Sequence, residues 1–397
     1  MRLGTSSLVV AAFVGPGTVL TCATAGVGFG YELAWVLLFA TAAAFVLQSF
    51  TAGTGILAGK GLGEAMREAA ARPAQRALLF GLVVLGLWAG CAAFEAGNLV
   101  GAAAGLVAVL GLGEGMLRWV VGGIAAVAAL VLLLDLRAIV QALAGLVALM
   151  SVLFLATLFV APVDWSAALA GLVTPSLPPE GLLTVVALIG TTIVTYNLFL
   201  HAAAARRYWQ GDPPQRAWRR ELRGMALFLP LGGLISLAIL WAGATLQGAD
   251  VGSVAALAAL LEPVAGSAAR FFFGLGLLAA GVTSAVTAPL AAAAGIRELF
   301  GWPDDPRDRR YRAVWGTVVL TGLVFGMTDL SPLSVIVAAQ AANGLLLPFI
   351  AAFVLYLGAR QRAVTLPRWY LAAGALVTLV CAGLGARTLW WVWNQVF

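Results

Sequence analysis

The chain has 397 residues, 62% of them hydrophobic and 10% charged, with a mean hydropathy of +1.00. Soluble domains carry about 25% charged and about 45–50% apolar residues, which excludes an ordinary globular protein, and 47 glycines and 16 prolines without period exclude a collagenous or disordered chain. A formal charge of +6 and a pI near 9.7 would point to nucleic acid in a soluble protein, but here long uncharged stretches mark membrane spans and assign the positive charge to topology. Cys22, Cys91 and Cys381 lie in apolar segments and form no CxxC pair, so neither a disulfide scaffold nor a zinc site is implied.

Apolar runs of about 17–25 residues predict eleven spans, at roughly 7–29, 33–57, 78–108, 117–134, 138–162, 181–204, 224–246, 269–296, 313–328, 333–357 and 369–394. Met1-Arg2 ahead of the first run has the look of a signal peptide. No clear small-x-small cleavage site follows, however, and Arg2 suits a retained helix with its start in the cytoplasm. The first span carries Gly15-Pro16-Gly17-Thr18, where proline removes a backbone donor and its flanking glycines let the chain leave helical geometry. At membrane depth such unwinding is tolerated only where the freed backbone is buried or lines a cavity.

Leu33–Leu57 and Gly224–Leu246 have the composition of plain lipid-type helices. The third span holds Gly86/Gly90 and Gly101/Gly105 at the four-residue spacing that permits close helix packing. It also holds Glu95, the one acid clearly inside a span and by default a functional candidate. The sixth contains Gly190-Thr191-Thr192-Ile193-Val194-Thr195-Tyr196-Asn197, a β-branched and polar run that is poor as helix and costly against lipid.

The loops alternate in charge. Lys60, Arg67, Arg72 and Arg76, the six arginines from Arg206 to Arg223, the group Arg307, Arg309, Arg310 and Arg312, and Arg360, Arg362 and Arg368 all fall on one side. With Arg2, Arg137 and Arg297 they make 20 of the 23 basic residues. The opposite loops, 163–180, 247–268 and 329–332, hold Asp164, Glu180, Asp250, Glu262 and Asp329 with no Lys or Arg. The asymmetry predicts a multi-pass inner-membrane protein with a cytoplasmic N-terminus and an extracytoplasmic C-terminus. No interruption is long enough for a soluble domain.

Interrupted segments in corresponding positions of two halves are the mark of transporters built from inverted repeats. Residues 1–162 and 181–357 would be the halves, five spans each, with 369–397 appended. Together with these interruptions, Ala25-Gly26, Gly30-Tyr31, Trp35, Gln48, Gly55-Ile56, Gly59-Lys60 and Glu64 resemble the opening of Nramp transporters. The string Tyr196-Asn197-Leu198-Phe199-Leu200-His201 and Gln340 match in kind and order. The resemblance implies an all-α, LeuT-like fold of eleven membrane helices, a five-plus-five inverted repeat with helices one and six interrupted and one helix added. It further implies secondary active transport, with a divalent transition metal moved together with protons as the usual cargo.

The ligand set departs from the pattern. In the family an Asp-Pro-Gly-Asn motif and a Met-Pro-His motif hold the metal. Here Gly15 stands for the aspartate, Thr18 for the asparagine, Val194 for the methionine, Thr195 for the proline and Tyr196 for the histidine. Only Gln340 remains. Desolvating a dication costs more than neutral groups easily return, and Mn²⁺ or Fe²⁺ prefers carboxylate, imidazole or thioether partners. No metal ligand set is therefore expected. A half-helix beginning near Gly17 offers free N–H groups and a positive dipole end, which suits an anion. The expected cargo is a small carboxylate or zwitterion read by Gly15, Gly17, Thr18, Thr21, Thr191, Thr192, Val194, Tyr196, Asn197, Gln340 and Asn343. The alternative is a divalent cation of Mn²⁺ or Mg²⁺ type at an altered, weaker site, with or without protons.

For coupling, the resemblance places Glu95 at the family's third-helix acid, Asn98 at its second acid, and His201 and Arg312 at matching positions in the sixth and ninth helices. A buried hydrogen-bonded histidine and a topological arginine are the structural alternatives. Thr283 and Ser284 offer paired hydroxyls for sodium in place of protons. No cofactor and no nucleic-acid partner is expected, only solute or ion, coupling ion and bilayer. With one histidine, no HExxH and a single Asp304-Asp305 pair, an intramembrane enzyme lacks its parts, and no repeated filter points to a channel.

Overall fold

Apolar periodless runs long enough for lipid become helices, because only a helix satisfies its own backbone inside a membrane. The computed structural model describes residues 15–70, 72–134, 137–249, 253–254, 256–328, 331–360 and 367–396. Residues 7–14 of the first span lie outside these, as do Arg2, Asp250, Asp329 and Arg362. In chain order the helices are α1 (Pro16–Phe29), α2 (Ala34–Ile56), α3 (Leu62–Ala69), α4 (Pro73–Leu110), α5 (Leu117–Leu134), α6 (Arg137–Val160) and α7 (Trp165–Val173). Then follow α8 (Leu182–Thr192), α9 (Thr195–Tyr208), α10 (Pro214–Ala244), α11 (Glu262–Ala265), α12 (Ala269–Phe300), α13 (Arg309–Gly326), α14 (Pro332–Ala359) and α15 (Arg368–Val396). No strand occurs among the described residues.

Nine of the eleven expected spans coincide with helices long and apolar enough to cross a membrane. The other two are α1, whose described part starts at Pro16, and α13, whose first turn carries Arg309, Arg310 and Arg312.

The expectation of plain lipid-type helices at Leu33–Leu57 and Gly224–Leu246 is corrected. Two thirds of each apolar window is buried in protein, against 28%, 28% and 22% for the windows in α5, α6 and α15. Hydropathy cannot separate the two cases, because lipid and a bundle interior are equally apolar. At the centre α4 runs along α12, α13 and α14, while α1 packs on α10 and α2 on α9 and α10. Gly105 is the point where α4 and α12 cross: a methyl there would stand 2.5 Å from the Gly274 carbonyl oxygen.

The charge pattern sorts the loops onto two ends. At the basic end Arg206 pairs with Glu64 at 2.8 Å, the Arg67 guanidinium donates to the Glu298 carbonyl at 3.2 Å, and Arg297 and Arg207 both reach Asp304. These contacts tie α3, α9, the end of α12 and the following loop together. At the other end the Trp35 indole donates to the Ser176 carbonyl at 3.0 Å, and the Asp164 amide donates to the Tyr31 hydroxyl at 3.1 Å.

Candidate functional site

The expected interruption of the sixth span is present, and in the first span the described helix begins at Pro16, the residues before Gly15 lying outside the described ones. Gly15 is extended (φ −89°, ψ 173°) and Pro16 opens α1 at the first helical position, where its missing N–H costs nothing. The sixth span breaks between α8 and α9, with Ile193 and Val194 out of helical geometry (φ −103°, ψ 82° and φ −82°, ψ 122°). The break and the start of α1 face each other across α4 and α14, and the Thr18 and Thr191 hydroxyls join them at 2.9 Å.

Two glycines make this approach possible. Pro16 nests against α4 at Gly101, where a methyl would come 2.5 Å from the proline ring. Gly17 lies under the Gln340 amide, and a methyl there would fall 1.9 Å from Gln340 Nε2.

Between the break and the start of α1 lies a cavity of about 10 Å³, the room of a single water or monatomic ion. Of the residues expected to bind cargo, the structure gathers Gly15, Gly17, Thr18, Thr191, Val194, Tyr196 and Gln340 around it, and adds Phe94, Asn98 and Ser284. Phe94 meets the Tyr196 ring edge-on at 5.7 Å. Sequence reasoning passed over Phe94, whose signal was its place directly before Glu95. Asn98, expected to couple, and Ser284, expected to hold sodium, also line the wall. The Gln340 carbonyl oxygen and the Asn98 amide nitrogen have no hydrogen-bond partner among the described residues, although both residues are buried. Buried polar atoms are rarely left unpaired without a reason.

Four expected cargo residues stand outside the cavity lining. Thr21 is fully buried with an unpaired hydroxyl, Asn197 is buried one turn into α9, and the Thr192 hydroxyl bonds back to the Leu188 carbonyl at 2.9 Å. Asn343 is the clearest correction. Its amide donates to the carbonyls of Gly190 (2.7 Å) and Ile193 (3.1 Å), and its oxygen accepts from the Thr195 hydroxyl (2.8 Å) and amide (3.4 Å). It clamps the broken helix from behind, satisfying carbonyls and an amide that unwinding leaves without helical partners. A polar side chain one turn beyond Gln340 carried the signal, but the spacing alone does not say which wall it serves.

Glu95 is fully buried on α4, one turn before Asn98, and neither carboxylate oxygen has a partner among the described residues. Its side chain lies on α13 at Gly322, where a methyl would come 2.5 Å from Glu95 Cγ. Arg312 stands apart from Glu95. It is ten residues away from Gly322 along α13, about 15 Å, is exposed, and donates to the Pro306 carbonyl at 3.3 Å. His201 is also absent from the cavity lining, five residues beyond Tyr196 on α9. Its Nε2 lies 3.1 Å from Glu221, whose other oxygen accepts from the Trp209 indole at 2.7 Å, with both His201 and Glu221 side chains wholly buried. Glu221 was missed by the sequence reading; an acid inside the run Arg219-Arg220-Glu221 was its only sign. The Thr283 hydroxyl bonds back to the Ala280 carbonyl at 3.0 Å, leaving Ser284 alone of that pair at the cavity.

The chain matches the family model "Natural resistance-associated macrophage protein-like" over residues 6–391. It is 29% identical to the divalent metal cation transporter MntH of Burkholderia ambifaria over 96% of this chain and 87% of that protein. It is 30% identical to the MntH of Acidiphilium cryptum over 88% of this chain and 80% of the other. Among solved structures, a manganese transporter of Eremococcus coleocola superposes with a TM-score of 0.75 at 20% identity, covering 97% of this chain and 85% of that one. Mhp1, a nucleobase-cation-symport-1 family transporter, gives a TM-score of 0.60 at 15% identity, covering 99% and 93%. The architecture is therefore the LeuT-like one that the interrupted helices pointed to. The expected preference for a small organic solute finds no support. The cavity has room for one small ion or water, and the MntH relatives are named as divalent metal cation transporters. A multi-pass helical membrane protein whose broken sixth span meets the start of α1 at its centre, this chain belongs to the Nramp family.

Proposed function

We propose that this protein is a secondary active transporter of a hard divalent cation, of Mn²⁺ or Mg²⁺ type, bound weakly between the broken sixth span and the start of α1. The observation that carries the reading is the Gln340 carbonyl oxygen, without a partner among the described residues, on an ion-sized cavity whose lining also holds Thr18, Thr191, Tyr196 and Ser284, all hydroxyl-bearing, and the amide of Asn98. All are hard and neutral. Such a set suits Mg²⁺, Ca²⁺ or Mn²⁺, and without thioether or imidazole it gives little reason to prefer softer metals. Without a carboxylate in the wall, and with the positive end of α1 facing the ion, affinity falls. A Kd on the order of 1 mM, about −4 kcal/mol, is the expected scale. The basic end is read as cytoplasmic from its arginines, and Glu95, buried one turn from the cavity wall, is the proposed proton carrier.

The test is uptake into proteoliposomes loaded with a divalent-cation dye, with Mn²⁺, Mg²⁺ and Cd²⁺ outside and with or without an imposed pH gradient. Comparable, low-affinity Mn²⁺ and Mg²⁺ uptake supports the reading. Absence of all three fluxes, together with gradient-driven accumulation of a small radiolabelled carboxylate, overturns it in favour of the anion-type site.

A further inference from the structure

A second cavity opens at the basic end, far along α4 from Glu95. Arg72, Pro73, Arg76, Ala77 and Phe80 line a depression of about 390 Å³ where α4 begins. The 38 residues of α4 extend about 57 Å, well beyond the about 30 Å of a hydrocarbon core, so its first turns reach headgroup depth.

Chemistry changes in order along this one helix. Arg72 and Arg76, exposed and one turn apart, come first. Phe80 follows, edge-on to Phe300 at 5.2 Å; Phe300 stacks on Trp302 at 5.3 Å, and the Arg310 guanidinium lies 5.0 Å over that indole. Such an aromatic row is typical of the membrane–water interface. Leu78 just before Phe80, and Leu82 and Leu85 beyond it, are all exposed. Arg67, Arg206, Arg207 and Arg297 are engaged with Glu298, Glu64 and Asp304, whereas the Arg72 and Arg76 side chains have no such partner among the described residues. Like charges one turn apart repel on a helix surface, and an anion between them removes that repulsion.

We propose that this cavity holds the phosphate of an anionic phospholipid from the adjoining leaflet, the two guanidinia binding the phosphate and Phe80 carrying the start of an acyl chain. Guanidinium forks match phosphate oxygens in pairs, and basic pockets on this side of membrane proteins recruit anionic headgroups. The apolar floor running on into exposed leucines selects a lipid over a soluble phosphate.

The test is native mass spectrometry of the full chain, released from nanodiscs containing phosphatidylglycerol and phosphatidylcholine. Retained phosphatidylglycerol is expected to exceed phosphatidylcholine, and the double variant Arg72→Gln/Arg76→Gln should lower that preference about tenfold or more, at roughly a fivefold factor for each arginine. Arg216→Gln/Arg219→Gln removes two exposed arginines at the same end but outside the cavity, and should leave the preference intact. Both doubles alter only surface charge, so their elution profiles should match the parent. Equal loss in the two doubles means diffuse surface charge and overturns the proposal. So does displacement of the lipid by inorganic phosphate, which would mark a soluble-anion site.

Discussion

Replacing Asn343 by leucine tests whether the break in the sixth span is held from behind. The substitution keeps the branched shape of asparagine and removes three well-formed hydrogen bonds, to the Gly190 and Ile193 carbonyls and from the Thr195 hydroxyl, with a longer fourth from the Thr195 amide. Hydrogen bonds between membrane helices average about 0.6 kcal/mol, which sets a floor of about 2 kcal/mol for three. The carbonyls of Gly190 and Ile193 are then buried without the amide, and a stranded buried group costs about 1–3 kcal/mol, so about 6 kcal/mol is the upper figure for the two. Reversible unfolding of the purified protein in mixed micelles reads the loss directly. Thr195→Val should cost less. The double variant should fall short of the sum of the two singles, because both remove the Thr195–Asn343 bond. Transport should drop with stability, since the cavity wall at Thr191 and Val194 belongs to the same broken segment. An Asn343→Leu protein within about 0.5 kcal/mol of the parent, with unchanged flux, refutes the clamp, because surface-like substitutions fall in that range.

The remaining predictions concern the cavity and the buried acid. Gly17→Ala places a methyl 1.9 Å from Gln340 Nε2, so the amide must swing away; the protein should fold, because a flexible side-chain end yields, yet divalent-cation uptake should fall at least severalfold. Gly15→Asp restores a carboxylate beside the cavity. Its Cβ meets only the Ser284 hydroxyl at 3.3 Å, and Mn²⁺ affinity measured by calorimetry should rise about tenfold or more, one charge-assisted contact contributing about 1.5–3 kcal/mol. Unchanged affinity in that variant would place the cargo elsewhere. Glu95→Gln keeps the side chain's shape beneath Gly322 but removes its titratable group. Acidification inside proteoliposomes during uptake should disappear while downhill cation flux persists, and persistence of the proton signal removes Glu95 from the route.

Much of the architecture is legible along the chain, for reasons that are local. Hydrocarbon requires every backbone group to be paired within its own segment, so apolar runs and helices coincide, and arginines sort loops onto ends. Ile193-Val194 break their helix and Pro16 opens α1 because β-branched residues and proline disfavour helix continuity wherever a neighbouring wall can accept the freed backbone. The loss of the ligand types that the family employs is equally a fact of sequence, visible at Gly15, Thr18, Val194 and Tyr196.

What cargo that loss favours was not decided there. Free amides at the start of α1 suggested an organic anion, but the volume left between the walls is fixed by Pro16 against Gly101 and by Gln340 over Gly17, contacts between residues far apart in the chain. Sequence placed Asn343 and Gln340 together as cargo readers. Tertiary structure separated them, turning Asn343 to the Gly190 and Ile193 carbonyls and leaving the Gln340 oxygen open, because a helix face has two neighbours and only packing chooses between them. The same holds for the charged residues: Glu95 was identifiable by its cost in lipid, whereas the pairing of His201 with Glu221 and the distance of Arg312 from Glu95 arise only when separate helices are brought side by side. Composition thus determined which segments enter the membrane and where they break, both set by the local balance of backbone pairing and solvation. Which polar groups meet, and how much room they leave, depended on helix crossings that no single segment encodes.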